Sequence, residues 1–317
     1  MFVQILLLIT GLALVVFGAD YLVEGASALA RRFGLSEFII GLTIVGMGTS
    51  APEMVVSFIG AAQGNPDISL GNVVGSNIFN TLLILGTTAL LLPIAVTPDN
   101  KKKDIPMNIL ITVLLIALGL ERTLFGFGTD GLSRWDGFIL VAVFALYMWH
   151  SFRNGSQEEA AESAPERKLW VSVLFILGGI TGLILGGNLF VNSATHIARA
   201  IGVSDKFIAI TILAGGTSMP ELATCIAAAV KKKGQLALGN IIGSNIFNIL
   251  LILGGSALIT PLSFADISYM DLGALIASAL ALFACCYVGE KNKLDRVDGI
   301  IFLVLFVAYM TYLIVQL

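Results

Sequence analysis

Long apolar runs, separated by short polar stretches, make up most of the chain. Ten stand out, near residues 2–30, 36–62, 68–95, 105–121, 135–152, 169–198, 204–230, 236–260, 268–288 and 297–316. A helix needs about 20 apolar residues to cross the hydrocarbon core of a bilayer. Each run therefore predicts a spanning helix, and the longest predict tilt or breakage. Composition agrees: of 317 residues, 57% are hydrophobic and only 12% charged, and mean hydropathy is +0.93. Soluble domains carry about 25% charged residues. The expected fold class is an all-α membrane protein with the lipid bilayer as its partner. A net charge of −3 gives no sign of nucleic-acid binding, and no obligate protein partner is evident. The first run lacks a basic n-region and a small-residue cleavage site, so it is read as a span and not a signal peptide.

The polar segments repeat. "GTSAPE" (48–53) returns as "GTSMPE" (216–221), and "GNVVGSNIFNTLLILG" (71–86) returns as "GNIIGSNIFNILLILG" (239–254), all 168 residues apart. Weaker echoes hold the same offset: Gly34 with Gly202, Arg31 with Arg199, Asp20 with Asn188. Each copy contains five predicted helices. An odd number makes the second copy enter the membrane from the opposite side. The expectation is two inverted-topology five-helix repeats, at 1–152 and 169–317, joined by a polar cytoplasmic linker at 153–168 around "GSQEEAAESAPER". Secondary transporters are often built this way, with their sites at mid-membrane where the repeats meet. With the N-terminus outside, fourteen of the eighteen Lys and Arg residues fall on the cytoplasmic side. The positive-inside rule thus puts both termini outside.

The chemistry sits in the repeated segments. A charged side chain at mid-bilayer costs at least about 2.5–3.5 kcal/mol, yet Glu53 and Glu221 each follow a proline in mid-span. Pro52 and Pro220 cannot donate to the residue four positions back, Gly48 and Gly216, and clash with its carbonyl. The helices should open there, and irregular backbone at membrane depth is tolerated only where it lines a cavity or is buried in protein. Thr49, Ser50, Thr217 and Ser218 lie within a turn of the breaks. The third helix of each copy adds a stripe in steps of four, Asn72, Ser76 and Asn80, then Asn240, Ser244 and Asn248, which places each trio on one face. No basic residue lies in mid-span, so protons or metal cations must neutralise the glutamates. Two carboxylates among carbonyl, hydroxyl and amide oxygens suit hard cations such as Ca2+. One Ca2+, two Na+ or two protons would balance the charge, and such mutual exclusion is what an antiporter needs.

Paired "GTSxPE" and "GSNIFN" segments in inverted repeats resemble the alpha-repeats of the cation/calcium antiporter superfamily, and most closely its prokaryotic sodium/calcium exchangers. The resemblance covers nearly the whole chain. It implies exchange of Ca2+ for Na+ by alternating access, with no enzymatic activity and no cofactor beyond the transported ions. It implies that Glu53 and Glu221 hold Ca2+ with help from Thr49 and Thr217, and that Ser50, Ser76, Ser218 and Ser244 line flanking Na+ sites, with backbone oxygens at Gly46 and Ala214. It also implies that the long first and sixth helices slide over the core. Asn80 and Asn248 occupy two further ligand positions. Many family members carry an aspartate at the second of these, and the potassium-dependent branch is associated with an acid there. Asn248 therefore argues against K+ coupling, and leaves H+- or K+-coupled Ca2+ antiport as the alternative to Na+.

Other residues read more simply. Asp20 and Glu24 are expected to snorkel or cap, with an ion path as the alternative. The lysine triplets at 101–103 and 231–233 read as topology signals, and His150 and His196 sit near span ends. Gly71–Gly75 and Gly239–Gly243 read as close-packing positions. Cys225, Cys285 and Cys286 read as small hydrophobes. A cation channel could use the same carboxylates, but inverted repeats with broken helices favour a transporter. An intramembrane hydrolase lacks support, because there is no H-E-x-x-H motif. The charge asymmetry is directly testable. On a background without the native cysteines, single cysteines in the 155–167 linker and in the 63–67 loop should label from opposite sides of the membrane. Labelling from one side would refute the inverted arrangement.

Overall fold

The structure is a computed structural model that describes residues 2–126, 128–154, 167–202, 215–264, 267–288 and 292–315. It is helical almost throughout. The principal helices are α1 (Phe2–Phe33), α2 (Glu37–Thr49), α3 (Ala51–Ala62), α4 (Ile68–Leu91), α5 (Ile105–Gly119), α6 (Arg134–Asn154), α7 (Leu169–Ala200), α8 (Met219–Val230), α9 (Gly234–Ile259), α10 (Tyr269–Tyr287) and α11 (Arg296–Val315). Among the described residues, seven are long and apolar enough to cross a membrane, and α2 with α3 makes an eighth span bent by 48°. The ten expected spans are thus not all met as long helices. Two are shorter, α5 with 15 residues and α8 with 12, and the expected start of the latter's span, from 204, falls outside the described residues.

Burial orders the helices into a centre and a periphery. Over their most apolar stretches α9 is 94% buried and α4 78%, against 22% for α1, 28% for α7 and 17% for α11. The two repeated "GSNIFN" segments therefore form the middle of the molecule. Glycine sets the close approaches. A Cβ added at Gly11 would lie 2.7 Å from Phe190 N, at Gly18 2.8 Å from Leu183 N, and at Gly25 2.8 Å from Ser172 O. Position numbers rise along α1 as they fall along α7, so these helices, which open the two repeats, run antiparallel. Gly239 and Gly243 meet the backbone of α2 at Phe38 and Leu42. Numbers rise together there, so α2 and α9 run parallel. The repeat-related partners of Gly71 and Gly75, positions 206 and 210, lie outside the described residues.

Two short antiparallel ladders cross between the halves. β1 (Ile94–Ala95) pairs with β4 (Lys293–Leu294), and β2 (Gly131–Leu132) pairs with β3 (Leu262–Ser263). Each joins the end of the third helix of one repeat to the connection between the last two helices of the other. Asp20 and Glu24 form ion pairs. Lys231 at the end of α8 reaches Asp20 at 2.6 Å and Glu24 at 3.0 Å, and Arg167 reaches Glu24 at 2.7 Å. Lys233 pairs with Glu37 at 2.6 Å. The 231–233 triplet thus supplies specific partners as well as charge. The cysteines are buried free thiols.

The α1–α7 seam leaves no room for a side chain. At Gly179 a Cβ would meet Leu22 N at 2.6 Å and Gly18 O at 2.7 Å, whereas at Gly178 it would meet nothing within 4 Å. Overpacking of this kind costs about 1–3 kcal/mol. Gly179→Leu should lower the thermal unfolding midpoint of the detergent-purified protein, and Gly178→Leu should leave it unchanged.

Candidate cation site

The site begins at the helix break. Pro52 and Pro220 occupy the first turn of α3 and α8, and the residue before each helix, Ser50 or Ser218, has almost the same backbone, with φ −80° and ψ 8° or φ −84° and ψ 5°. Proline suits a helix start because its missing N–H is not needed there. Glu53 and Glu221 consequently lie in the first turns of new helices, at the ends where the helix dipole favours a negative charge. Both carboxylates are fully buried. Among the described residues neither forms an ion pair with a basic side chain.

Hydrogen bonds tie the two breaks to each other reciprocally. Ser50 Oγ donates to Glu221 Oε1 at 2.8 Å, and Ser218 Oγ donates to Glu53 Oε1 at 3.4 Å. Thr49 Oγ1 donates to Asn240 Oδ1 at 3.1 Å, and Thr217 Oγ1 to Asn72 Oδ1 at 3.5 Å. Asn80 Nδ2 donates to Asn245 Oδ1 at 3.2 Å, and Asn248 Nδ2 to Asn77 Oδ1 at 3.0 Å. In each pair, adding 168 to one residue number gives the other's counterpart, which is the signature of a two-fold relation. Ser244 Oγ lies 3.3 Å from Gly46 O and 3.4 Å from Glu221 Oε1.

The expected site residues therefore gather at one place, with distinctions. Glu53, Glu221, Ser50, Ser218, Thr49 and Ser244 are buried and interlinked, Ser76 is buried, and Thr217 is half-buried. The Gly46 carbonyl accepts from Ser50 N at 3.1 Å. Ala214 lies outside the described residues. Asn72 turns its amide nitrogen to Glu53 O and Ser57 Oγ, and Asn240 accepts from Thr49, so the first members of the two stripes support the breaks. Sequence reasoning passed over Asn77, Asn245 and Thr81. The signal for the two asparagines lay within the repeated "GSNIFN" itself, hidden because the step of four skips over them. The helices also widen where Asn80 and Asn248 lie: Phe79–Ile84 and Asn248–Leu253 form π-helical turns, a distortion frequent at functional sites and not legible from spacing.

Four oxygens at this place are left without a partner. Glu53 Oε2, Glu221 Oε2, Asn80 Oδ1 and Asn248 Oδ1 are buried and accept no hydrogen bond. None can rotate a proton into place as a hydroxyl can, and an unsatisfied buried acceptor costs about 1–3 kcal/mol. Oxygens of this kind are what a hard cation takes as ligands. The donor set is oxygen throughout, and no group of three or more His, Cys, Asp or Glu residues occurs among the described residues. Such chemistry fits Ca2+ and Na+, not zinc or copper. A cavity of about 360 Å3 reaches Ser218 from beside α7, lined by Phe79, Phe190, Val191 and Ala194. The repeat-related residues on α1, Leu22, Val23 and Ala26, are fully buried. The two sides of the site thus differ in access.

Comparison with known proteins agrees with this reading. Residues 3–153 and 171–315 match the family described as sodium/calcium exchanger protein. The chain belongs to the sodium/calcium exchanger family. It is 40% identical over 315 residues to the putative antiporter CaxA of Alkalimonas amylolytica, with 98% of each chain covered. It is 32% identical to the sodium/calcium exchanger MaX1 of Methanosarcina acetivorans, again with 98% of each covered. Among solved structures it resembles the sodium-calcium exchanger NCX_Mj soaked with 2.5 mM Na+ and 10 mM Sr2+, with a TM-score of 0.85, 34% identity and 98% of each chain covered. It is a multi-pass helical membrane protein of the cation/calcium antiporter superfamily, whose members named here are exchangers and antiporters.

Proposed function

We propose that this chain exchanges Ca2+ for Na+ across the cell (inner) membrane by alternating access at a single central site. The observation that carries the reading is the group of four orphaned, buried oxygens on Glu53, Glu221, Asn80 and Asn248, among which no basic residue supplies the balancing charge. Glu53 and Glu221 are the central Ca2+ ligands, assisted by Thr49 and Thr217. Ser50, Ser76, Ser218 and Ser244, with backbone oxygens at Gly46 and Ala214, hold Na+ beside them. One Ca2+ or two Na+ balance the two carboxylates, so each ion excludes the other.

Ten spans in two inverted five-helix repeats, 1–152 and 169–317, complete the proposal, with α5 and α8 as the shorter spans and the 153–168 linker in the cytoplasm. The antiparallel seam of α1 on α7 supports inversion, as do the reciprocal bonds at the site. Both termini then lie outside. Alternating access is supported by the unequal surroundings: a cavity beside α7, and closed packing at the equivalent place on α1. An inverted repeat can exchange these two environments, opening the site to the other side.

Glu53→Gln or Glu221→Gln should abolish Na+-gradient-driven 45Ca2+ uptake into proteoliposomes while the purified protein keeps its unfolding midpoint. Normal flux in either folded variant removes that glutamate from the site.

Asn248 provides a test of ion choice. With two carboxylates balanced by one Ca2+, the native exchanger should need no K+. A third carboxylate at 248 would crowd like charges in a poorly solvated space, which recruits a proton or a monovalent cation. Asn248→Asp should therefore make uptake sensitive to pH or to K+. A wild type that requires K+, or that runs on a pH gradient without Na+, would instead favour the potassium-dependent or proton-coupled alternative.

A further inference from the structure

We infer that Asn77 and Asn245 are positioning residues that hold the side-chain amides of Asn248 and Asn80 with oxygen, not nitrogen, toward the cation. The inference rests on the placement of Asn80 and Asn248 in the ion site. An asparagine amide has nearly the same shape either way round, but its two ends are opposite in polarity. Turned by half a revolution, it presents two N–H donors to a cation and becomes repulsive. A neutral ligand of this kind needs an external device to fix its orientation, and a carboxylate in the same place does not.

The device is a belt of four buried amides across the contact between α4 and α9. Asn248 Nδ2 is engaged by Asn77 Oδ1 at 3.0 Å, and Asn80 Nδ2 by Asn245 Oδ1 at 3.2 Å. Each engagement leaves the Oδ1 of the ligand amide as the free atom, and those two oxygens are the unpartnered ones. Asn77 is itself fixed, because its Nδ2 donates to the backbone carbonyl of Asn245 at 3.2 Å, a group that can only accept. Its Oδ1 must then face Asn248. Asn245 is fixed differently: its Nδ2 donates to the hydroxyl of Thr81 at 2.9 Å, a group able to accept or to donate. The position related to Thr81 is Ile249, so this prop exists on one side only. The chain therefore holds Asn248 more strictly than Asn80. Partners behind metal ligands act in the same way elsewhere, and their loss typically weakens metal binding about 10–100-fold.

The test is a double-mutant cycle read by isothermal titration of Ca2+ into detergent-purified protein in Na+-free buffer. Asn77→Leu should weaken Ca2+ binding about 10–100-fold in the native background. In the Asn248→Asp background both ends of side chain 248 are oxygens, so no wrong orientation exists. There the same substitution should cost less than about threefold, a coupling that independent sites would not show. An equal factor in both backgrounds would mean that Asn77 only supports the fold, and would overturn the inference. Should Asn77→Leu fail to purify as folded protein, Thr81→Val with and without Asn80→Asp carries the same cycle on the other half. Valine there follows the aliphatic residue already present at 249, and equal factors again overturn the proposal. Glu221→Gln separates the two levels. Loss of Ca2+ binding in that variant combined with equal factors refutes the amide inference alone, and retained binding refutes the site on which it stands.

Discussion

Two carboxylates buried in a membrane, with no basic side chain among the described residues to answer them, constrain everything else in this structure. An ionised pair in that position is tolerable only if helix ends, hydroxyls and a mobile cation together replace the lost water. Each element of the centre can be traced to that need. The prolines end one helix and begin another, so that each glutamate enters a first turn. The serine before each proline reaches over to the opposite glutamate. The second oxygen of each carboxylate is left with no protein partner. A protein that satisfied those last oxygens with its own donors would be more stable and would have less use for a cation.

The two-fold relation holds where ligands are shared and fails towards the edges. Hydrogen bonds between the repeats come in matched pairs at the centre. Farther out, α1 carries Asp20 and Glu24, paired with Lys231, whereas the related positions on α7 and α3 are Asn188, Asn192 and Gln63. One set is ionic and the other neutral. The cavity beside α7 is lined by Phe190, Val191 and Ala194, whereas the related Leu22, Val23 and Ala26 of α1 are buried, and a separate cavity of about 450 Å3 lies between α1 and α8. A central site that looks alike from both halves, surrounded by unlike walls, suits the alternating access proposed above. The glycine seam between α1 and α7 suits such a role, because a surface without side chains has few ridges to interlock.

Much of this was legible in the sequence. Apolar runs marked the helices, and the shared offset of 168 marked the repeat, because both features follow from local composition. Glu53 and Glu221 announced themselves by being charged where charge is costly. What was not legible depends on three-dimensional pairing. The step-of-four stripe joined Asn72 to Ser76 and Asn80, but Asn72 supports the backbone at Glu53 instead of lying with the orphaned oxygens. Spacing does not reveal the π-helical turns that begin at Phe79 and Asn248, nor which end of each amide is occupied. The ion pairs of Asp20 and Glu24 were hidden for a similar reason: their partners lie more than a hundred residues away at Arg167 and Lys231.

The choice of amide over acid at the two outer ligand positions has an electrostatic logic. Four carboxylates around one divalent ion would leave a net charge of −2 in a medium that screens poorly, and each like-charge contact inside a protein costs several-fold more than in water. Two carboxylates and two amides supply the same number of oxygen-bearing side chains at neutral balance. The neutral ligands bring a different burden, since an amide can present its wrong end, whereas a carboxylate has none. A site built with asparagines therefore moves the problem from charge to orientation, and orientation can be solved only by residues behind the ligands. In this chain those residues come from the opposite repeat, so the two halves must be correctly docked before either amide is held. On the proposed reading, assembly of the repeats and selectivity for the cation depend on the same few hydrogen bonds.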